Sequence, residues 1–585
     1  MPFVRRALSH AFLPGTSTLK VFQRGTLPIA IGLALGASLG QAHAQQPPTI
    51  GDVLRQSQPT EPPPAQAPAL PGIGGAPSAP PVQTSPEGGP GVLVKQFAIS
   101  GNSAVDTQIL LTLLQDEQGK TLTLAGLDAL VARLTRYYRS HGYFVARAYI
   151  PAQEVSDGTL SIRVVEGHYG KFILDNRSSV SDAVVQGLLD NVKDRDIVSL
   201  DTLERAMLIV NDTPGVKVVR ADVMPGEQIG SSDFAVATTA TPAYDGYVLL
   251  DNYGSTYIGR QRLSFNAGWN SPTGRGDRLS ASGLTTRDSK LFNGRLGYST
   301  LLGTDGTRGE LAFSRTTYEL GGIYSVLDAS GSSNGVELNV SKPLKRTRSD
   351  SIEAGLSINY KDLKDDIALT NTSVGKQLAS ISASLSERRE HALFGIDGVS
   401  QGGVTLTAGH LRFKDSVAAE LDAAGAHTQG SYAKLNVNAL RISSLPSSWL
   451  LSTSLKAQVA LGNKALDGVE RMSVSGAGAV GAYPIGELNG DHAALLRAEL
   501  SHVLPYTSLT QLSASIFADY GWAKQLSQTA GTESTRTLTD LGVGLSAWAG
   551  NALLKLQLVH RLNGGEPTSE STSRTRLLFL AGWVM

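Results

Sequence analysis

The 585-residue chain contains no cysteine. That absence excludes disulfides, thiolate metal sites and cysteine nucleophiles. It also suits a chain that crosses an oxidising compartment unfolded without forming wrong bridges. Net charge is absent too: 51 basic residues balance 51 acidic ones, so no basic field points to nucleic acid. No apolar run reaches the roughly 18 residues of a membrane-spanning helix. The ten histidines are scattered and lack metal-ligand spacing, so no metal and no cofactor is expected. His-Glu-x-x-His, a phosphate loop ending in Lys-Ser/Thr, and a Gly-x-Ser-x-Gly elbow are all missing. Nothing in the chain points to an enzyme.

What is present is alternation. Ile352, Ala354, Leu356, Ile358 and Tyr360 alternate with Ser351, Glu353, Gly355, Ser357 and Asn359. Leu451, Thr453, Leu455, Ala457, Val459 and Leu461 alternate with Ser452, Ser454, Lys456 and Gln458. A period of two places successive side chains on opposite faces of a β-strand. About sixteen such segments follow residue 241, starting near 243, 260, 277, 291, 307, 333, 350, 376, 402, 429, 448, 492, 510, 537, 551 and 573. Short alternating strands in even number, separated by Gly, Asn, Asp and Ser, predict a closed antiparallel transmembrane β-barrel over 241–585. Soluble sandwiches and propellers alternate as well, but the N-terminus argues for export.

Residues 1–44 have the layout of a signal peptide. Arg5, Arg6, Lys20 and Arg24 form a basic region, Leu27 to Leu39 an apolar one, and Ala42-His43-Ala44 a cleavage site with Gln45 following. Residues 45–91 are rich in Pro, Gly, Ala and Ser, too poor in apolar side chains to bury a core, and read as a linker. Within it, Ile50 to Gln56 could form about two turns of a plug helix. Residues 92–168 predict a β-α-α-β-β unit: a strand over 92–99, a short helix over 109–114, an amphipathic helix over 124–140 stopped at Gly142, and strands over 145–150 and 160–165. Residues 169–240 repeat that order.

Two such units before a sixteen-stranded barrel resemble the two-partner secretion outer-membrane transporters, the TpsB family of haemolysin secretion/activation proteins of ShlB/FhaC/HecB type, relatives of the barrel-assembly protein BamA. Tyr138, His141-Gly142-Tyr143, Ala148 to Gln153, Gly158-Thr159-Leu160 and Val165-Glu166-Gly167 resemble a first POTRA domain. Asn211-Asp212-Thr213-Pro214-Gly215, Pro225-Gly226 and Ser232-Asp233 resemble a second. Leu250 to Gly254 resembles the first barrel strand, and Gly274 to Leu279 the turn into the third. The resemblance implies periplasmic N-terminal domains and a bacterial outer-membrane barrel surrounded by lipid and inserted by the barrel-assembly machinery. It implies a secreted TpsA-type exoprotein, a large β-helical adhesin or haemolysin, as partner. In the first domain Arg147, Tyr149, Pro151, Gln153 and Glu166 are its candidate contacts. An assembly factor that inserts other barrels, or a diffusion porin, is the competing reading.

Gly476 to Leu500 resembles the family's sixth-loop hairpin, about 471–491, which folds into the lumen. The family has Val-Arg-Gly-Tyr at the tip; here Val480-Gly481-Ala482-Tyr483 stands there. The family's tip arginine is expected to pair with an acidic residue of the wall motif, here Phe517-Ala518-Asp519-Tyr520-Gly521. With Gly481 in its place, Asp519 lacks that cation. Either another basic residue substitutes, or the loop is held differently, or activity is impaired. The last strand ends in Met585 rather than the usual aromatic, which leaves Trp583 as the insertion signal. Arg275-Gly276-Asp277 spells an integrin-binding tripeptide but reads as a tight turn. Trp269, Trp449 and Trp548 read as membrane-interface residues. Arg147 and Glu166 could form an ion pair or be solvated strand ends.

Overall fold

A computed structural model describes residues 48–57, 70–74, 91–504, 510–526 and 535–585. The expected signal segment, with Ala44 and Gln45, lies outside them. A short helix, α1 (Ile50–Gln56), and a two-residue strand, β1 (Ile73–Gly74), come first.

The first domain comprises β2 (Val92–Leu93), β3 (Gln96–Ser100), α2 (Thr107–Thr112), β4 (Thr121–Leu122), α3 (Leu124–Ser140), β5 (Arg147–Tyr149) and β6 (Thr159–Val165). Its main sheet runs β3-β6-β5. Thr123 caps α3 by accepting from the Gly126 amide at 3.3 Å, and Gly142, at φ +90°, follows its end. Leu130, Leu134 and Tyr138 repeat every fourth residue on one face of α3 and are buried with Leu110, Ile162 and Val164, as an amphipathic helix on a sheet requires.

The second domain repeats the plan with β7 (His168–Arg177), α4 (Asp182–Asp190), α5 (Leu200–Asn211), β8 (Lys217–Pro225) and β9 (Ser231–Thr239). Its sheet order is β1-β8-β9-β7, so the fourth strand is borrowed from the segment that precedes both domains.

The barrel begins with β10 (Tyr244–Asp251), β11 (Arg262–Asn270), β12 (Arg278–Thr286), β13 (Leu291–Leu301) and β14 (Arg308–Glu319). It continues with β15 (Ala329–Arg346), β16 (Asp350–Ile367), β17 (Thr372–Glu390), β18 (Gly398–Phe413), β19 (Gly430–Leu445) and β20 (Trp449–Ala460). Helix α6 (Ser416–Ala424) and the pairs β21 (Met472–Ser473) and β22 (Asn489–Gly490) sit in loops. The wall closes through β23 (His492–Val503), β24 (Thr510–Lys524), β25 (Thr535–Ala549), β26 (Ala552–Asn563) and β27 (Thr575–Val584). Sixteen strands pair antiparallel in sequence order, and β27 returns to β10. Every start expected from alternation lies within four residues of an observed strand start.

The alternation sorts as the period demands. Leu356, Ile358 and Tyr360 are exposed on the outside while Asn359 between them is buried. Such a girdle of exposed apolar side chains needs lipid around it. Trp269 and Trp449 belong to it, at strand ends. Trp548 does not: it shares the inward parity of Gly542 and Gly544 and packs on the interior cluster around Leu553. The expectation of an interface residue is corrected there.

One barrel end has short turns. The other carries longer loops at 252–261, 320–328, 414–429, 461–491 and 564–574. The second domain packs on the short-turn end. Ser181 donates its amide to the Gly274 carbonyl at 2.8 Å, and Arg346 holds Asp212 with two bonds of 2.7 and 2.8 Å. The Arg275-Gly276-Asp277 tripeptide is a turn in this contact. Gly274 and Gly276 have φ of +75° and +66°, and Asp277 is fully buried.

Candidate functional site: the lumen and its occupants

Among the described residues, two pieces of chain fill the lumen. The first is the loop between β20 and β23. It is pinched at its base, where β21 pairs with β22. Beyond the pinch Val474, Val480, Ala482 and Tyr483 are fully buried among Leu249, Phe517, Leu538, Val559 and Leu578 of the wall. Gly521 makes room for this: a Cβ there would lie 2.9 Å from Val480 Cγ2 and 3.0 Å from Val474.

The polar contacts of the tip are made mostly by its backbone. The Ala482 amide donates to Asp540 Oδ2 at 2.8 Å. Arg576 donates to the carbonyls of Gly481, at 3.0 Å, and Tyr483. The Tyr483 hydroxyl donates to Asn563 O and Gly565 O at 2.8 and 2.9 Å. Farther along, Glu487 accepts from Arg536 and from the Thr568 and Ser569 amides of the last long loop. At the loop base, Arg471 meets Asp491 at 2.9 Å and Lys434 meets Glu470 at 2.9 Å, all four buried.

Asp519 has its cation. Arg497 Nη1 lies 2.8 Å from Asp519 Oδ2, and Nη2 lies 2.9 Å from Glu499 Oε2. The guanidinium stacks over Phe517 at 3.9 Å. Arg497 and Asp519 are direct cross-strand partners, as are Asp519 with Asp540 and Asp540 with Arg561. Four strands thus place a row of ionisable side chains, basic-acidic-acidic-basic, on the inner face. Of the alternatives open for the missing tip arginine, the structure contains two: another basic residue, Arg497, pairs with Asp519, and the loop tip is held differently, through its backbone, by Asp540 and Arg576. Arg497 was visible in the sequence, but its pairing depends on strand register, which residue spacing does not give.

The second occupant is α1. Its first amide, from Ile50, donates to Asp365 Oδ1 at 2.6 Å, and Tyr318 donates to the same oxygen at 2.7 Å. Ile50 and Val53 are buried among Tyr257, Leu291, Tyr318, Leu363, Phe413 and Val469, toward the long-loop end of the lumen. The short helix expected at 50–56 is therefore ordered, and it lies inside the barrel.

The five candidate contacts in the first domain divide. Arg147 and Tyr149 are exposed on β5, the sheet edge. Pro151 is half-buried just beyond it. Gln153 spends its side-chain amide on the domain itself, donating to Ser161 O at 2.7 Å and accepting from Ser161 N at 2.8 Å. Glu166 is a correction. It is buried, and it accepts from Ser103 N, Ser103 Oγ, Ala104 N and the Tyr138 hydroxyl at 2.6–2.9 Å. It neither pairs with the exposed Arg147 nor reaches solvent. Burial, reinforced by the Glu166 carboxylate, pushes the Tyr138 phenol well up, so it remains a donor.

The family model described as haemolysin secretion/activation protein ShlB/FhaC/HecB matches residues 230–547. A second, described as POTRA domain, ShlB-type, matches 92–167. The heme/hemopexin transporter protein HuxB of Haemophilus influenzae is 26% identical over 456 residues, covering 77% of this chain and 80% of its own length. The outer membrane transporter CdiB of Escherichia coli is 25% identical over 491 residues, covering 79% and 78%. Among solved structures, CdiB from Escherichia coli superposes with a TM-score of 0.69 at 22% identity, over 86% of this chain and 94% of that one. CdiB from Acinetobacter baumannii gives 0.62 at 16% identity, over 88% and 95%.

Proposed function

The chain belongs to the haemolysin secretion/activation protein family ShlB/FhaC/HecB, and we propose that it passes one unfolded exoprotein through the lumen just described. It is a two-partner secretion transporter of the outer membrane, with its N-terminal domains in the periplasm. The observation that carries the reading is a barrel closed by two docked segments, with two sheet-edged domains at its periplasmic mouth.

The exoprotein arrives unfolded and pairs by its backbone with a sheet edge of residues 92–240. Main-chain hydrogen bonds supply affinity there without a strict sequence requirement. In the first domain β5, with the exposed Arg147 and Tyr149 on it, is one open edge of the sheet. Helix α1 then leaves the lumen and the chain moves outward. No nucleotide site is needed: folding of the exoprotein outside, into a β-helical adhesin or haemolysin, biases the direction. The last strand, with Trp583 exposed near its end, presents the barrel to the assembly machinery.

The test is proteomic. Culture supernatant and shaved surface protein are compared between the native host, a gene deletion, and a deletion of residues 92–240. Loss of one large exoprotein in both deletions is expected. Secretion that survives removal of 92–240 would overturn recognition by the domains. Broad loss of barrel proteins would make the chain an assembly factor instead.

A further inference from the structure

Strands β17 and β18 are joined at the periplasmic end by a two-residue turn, Phe394-Gly395. The Leu393 and Ile396 amides close it, each donating to the other's carbonyl at 3.0 Å. Both turn residues are left-handed, with φ of +53° and +76°. Such a turn favours Asn-Gly, and a bulky side chain is rare in that conformation. Among the described residues, Phe394 is the one apolar side chain at positive φ. It is also 95% exposed, between the exposed Leu393 and Ile396. The neck of the turn is braced from both flanks. Arg441 of β19 donates to the carbonyls of His391 and Ile396 at 3.1 and 2.9 Å. On the other flank the Glu390 amide donates to the Ser349 carbonyl at 2.6 Å, and Arg389 meets Asp350 at 3.4 Å. A strained aromatic is thus held out into solvent on a fixed support.

Lipid does not account for it. The apolar girdle of this hairpin ends at the exposed pair Leu385 and Val404, and Arg389, Ser400 and Arg441 form an outer row beyond it. Phe394 lies nine residues past Leu385, about 30 Å along a strand. With strands tilted by about 40°, the turn stands roughly 20 Å outside the girdle, beyond a headgroup layer of about 5–7 Å. What it does stand beside is the docked second domain. The turns at 271–277, 302–307 and 347–349 hold that domain. The Phe394 turn is next in order round the mouth and is joined to the last of them through Ser349. We propose that the Phe394 turn is a foothold for the exoprotein, a fixed apolar knob that the unfolded chain touches on its way from the second domain to the lumen. This rests on the transport reading and adds a contact site to it. An unfolded chain brings exposed aliphatic and aromatic side chains, the chemistry that covers Leu393, Phe394 and Ile396. Apolar contact is non-directional, so it tolerates the changing sequence of a chain that slides past.

The turn itself separates folding from function. Phe394→Asn installs the residue this turn favours, so the full-length variant should keep its heat-resistant gel mobility. Its exoprotein secretion is expected to fall by roughly fivefold or more, and Phe394→Trp should keep secretion near the wild-type level. Wild-type secretion by Phe394→Asn would overturn the proposal. The second measurement does not depend on the secretion rate. With the photo-reactive p-benzoylphenylalanine in place of Phe394, illumination of secreting cells is expected to join the full-length chain to the exoprotein. No adduct, or adducts only with lipid, with another periplasmic protein or within the chain itself, would overturn it. If gene deletion removes an exoprotein while Phe394→Asn secretes normally, the transport reading stands and the foothold falls. If gene deletion removes none, the transport reading falls and takes the foothold with it.

Discussion

The sixth-loop tip and helix α1 share one lumen but are held by different means. The tip gives its backbone to Asp540 and Arg576 and its Tyr483 hydroxyl to two carbonyls, beside a row of wall charges. Helix α1 is held through the apolar burial of Ile50 and Val53, with its first amide on Asp365. Apolar contact is non-directional and is lost in small steps as a segment slides. A charge left behind in a low-dielectric wall is costly. On the transport reading proposed above, the tip is the segment expected to stay and α1 the plug expected to leave.

The largest expected effect attacks the fixture. Arg497→Ala leaves Asp519 without its cation, and breaking a buried pair in this way costs about 3–5 kcal/mol. The barrel should lose its heat-resistant gel mobility at a clearly lower temperature. An unchanged transition would mean that the wall charges do not support the loop.

The next variant attacks the plug. Ile50→Asp with Val53→Asp removes two buried aliphatic side chains, each contributing about 1.5–3 kcal/mol. Planar-bilayer recordings should show a steady conductance that wild type lacks, with heat-resistant mobility unchanged. A closed channel would remove α1 from the role of plug.

A third variant sharpens the contrast by restoring the family's tip residue. In Gly481→Arg the new side chain finds Asp519 already paired with Arg497, and its Cβ approaches Leu578 Cδ1 at 3.3 Å. Secretion is expected at or below the wild-type level. A clear gain would show that Asp519 had been waiting for the loop. The smallest effect belongs to Tyr483→Phe, which leaves two carbonyls without their donor and costs about 1 kcal/mol. It should appear as faster protease cleavage of the 564–574 loop, with secretion nearly normal.

Much of the barrel was legible because lipid outside and polar lumen inside impose a strict period of two, as at Leu356 to Tyr360. Trp548 was misplaced for the opposite reason: an aromatic near a strand end suits either face, and only parity with Gly542 decides. Glu166 illustrates a second limit. A carboxylate at a strand end reads as solvent-facing until the 103–104 turn closes over it. The pairing of Arg497 with Asp519, and the seat of residues 70–74 on β8, are contacts between distant segments. Local pattern carries no trace of either.

The charge row has a consequence for assembly. Arg497, Asp519, Asp540 and Arg561 come from four successive strands, and they align only when all three pairings are in register. A slip of one residue would turn a strand's charge outward. The cradle for the loop tip thus does not exist until the C-terminal hairpins have zipped correctly. Docking of the loop tip therefore depends on the register of strands that follow it in the chain.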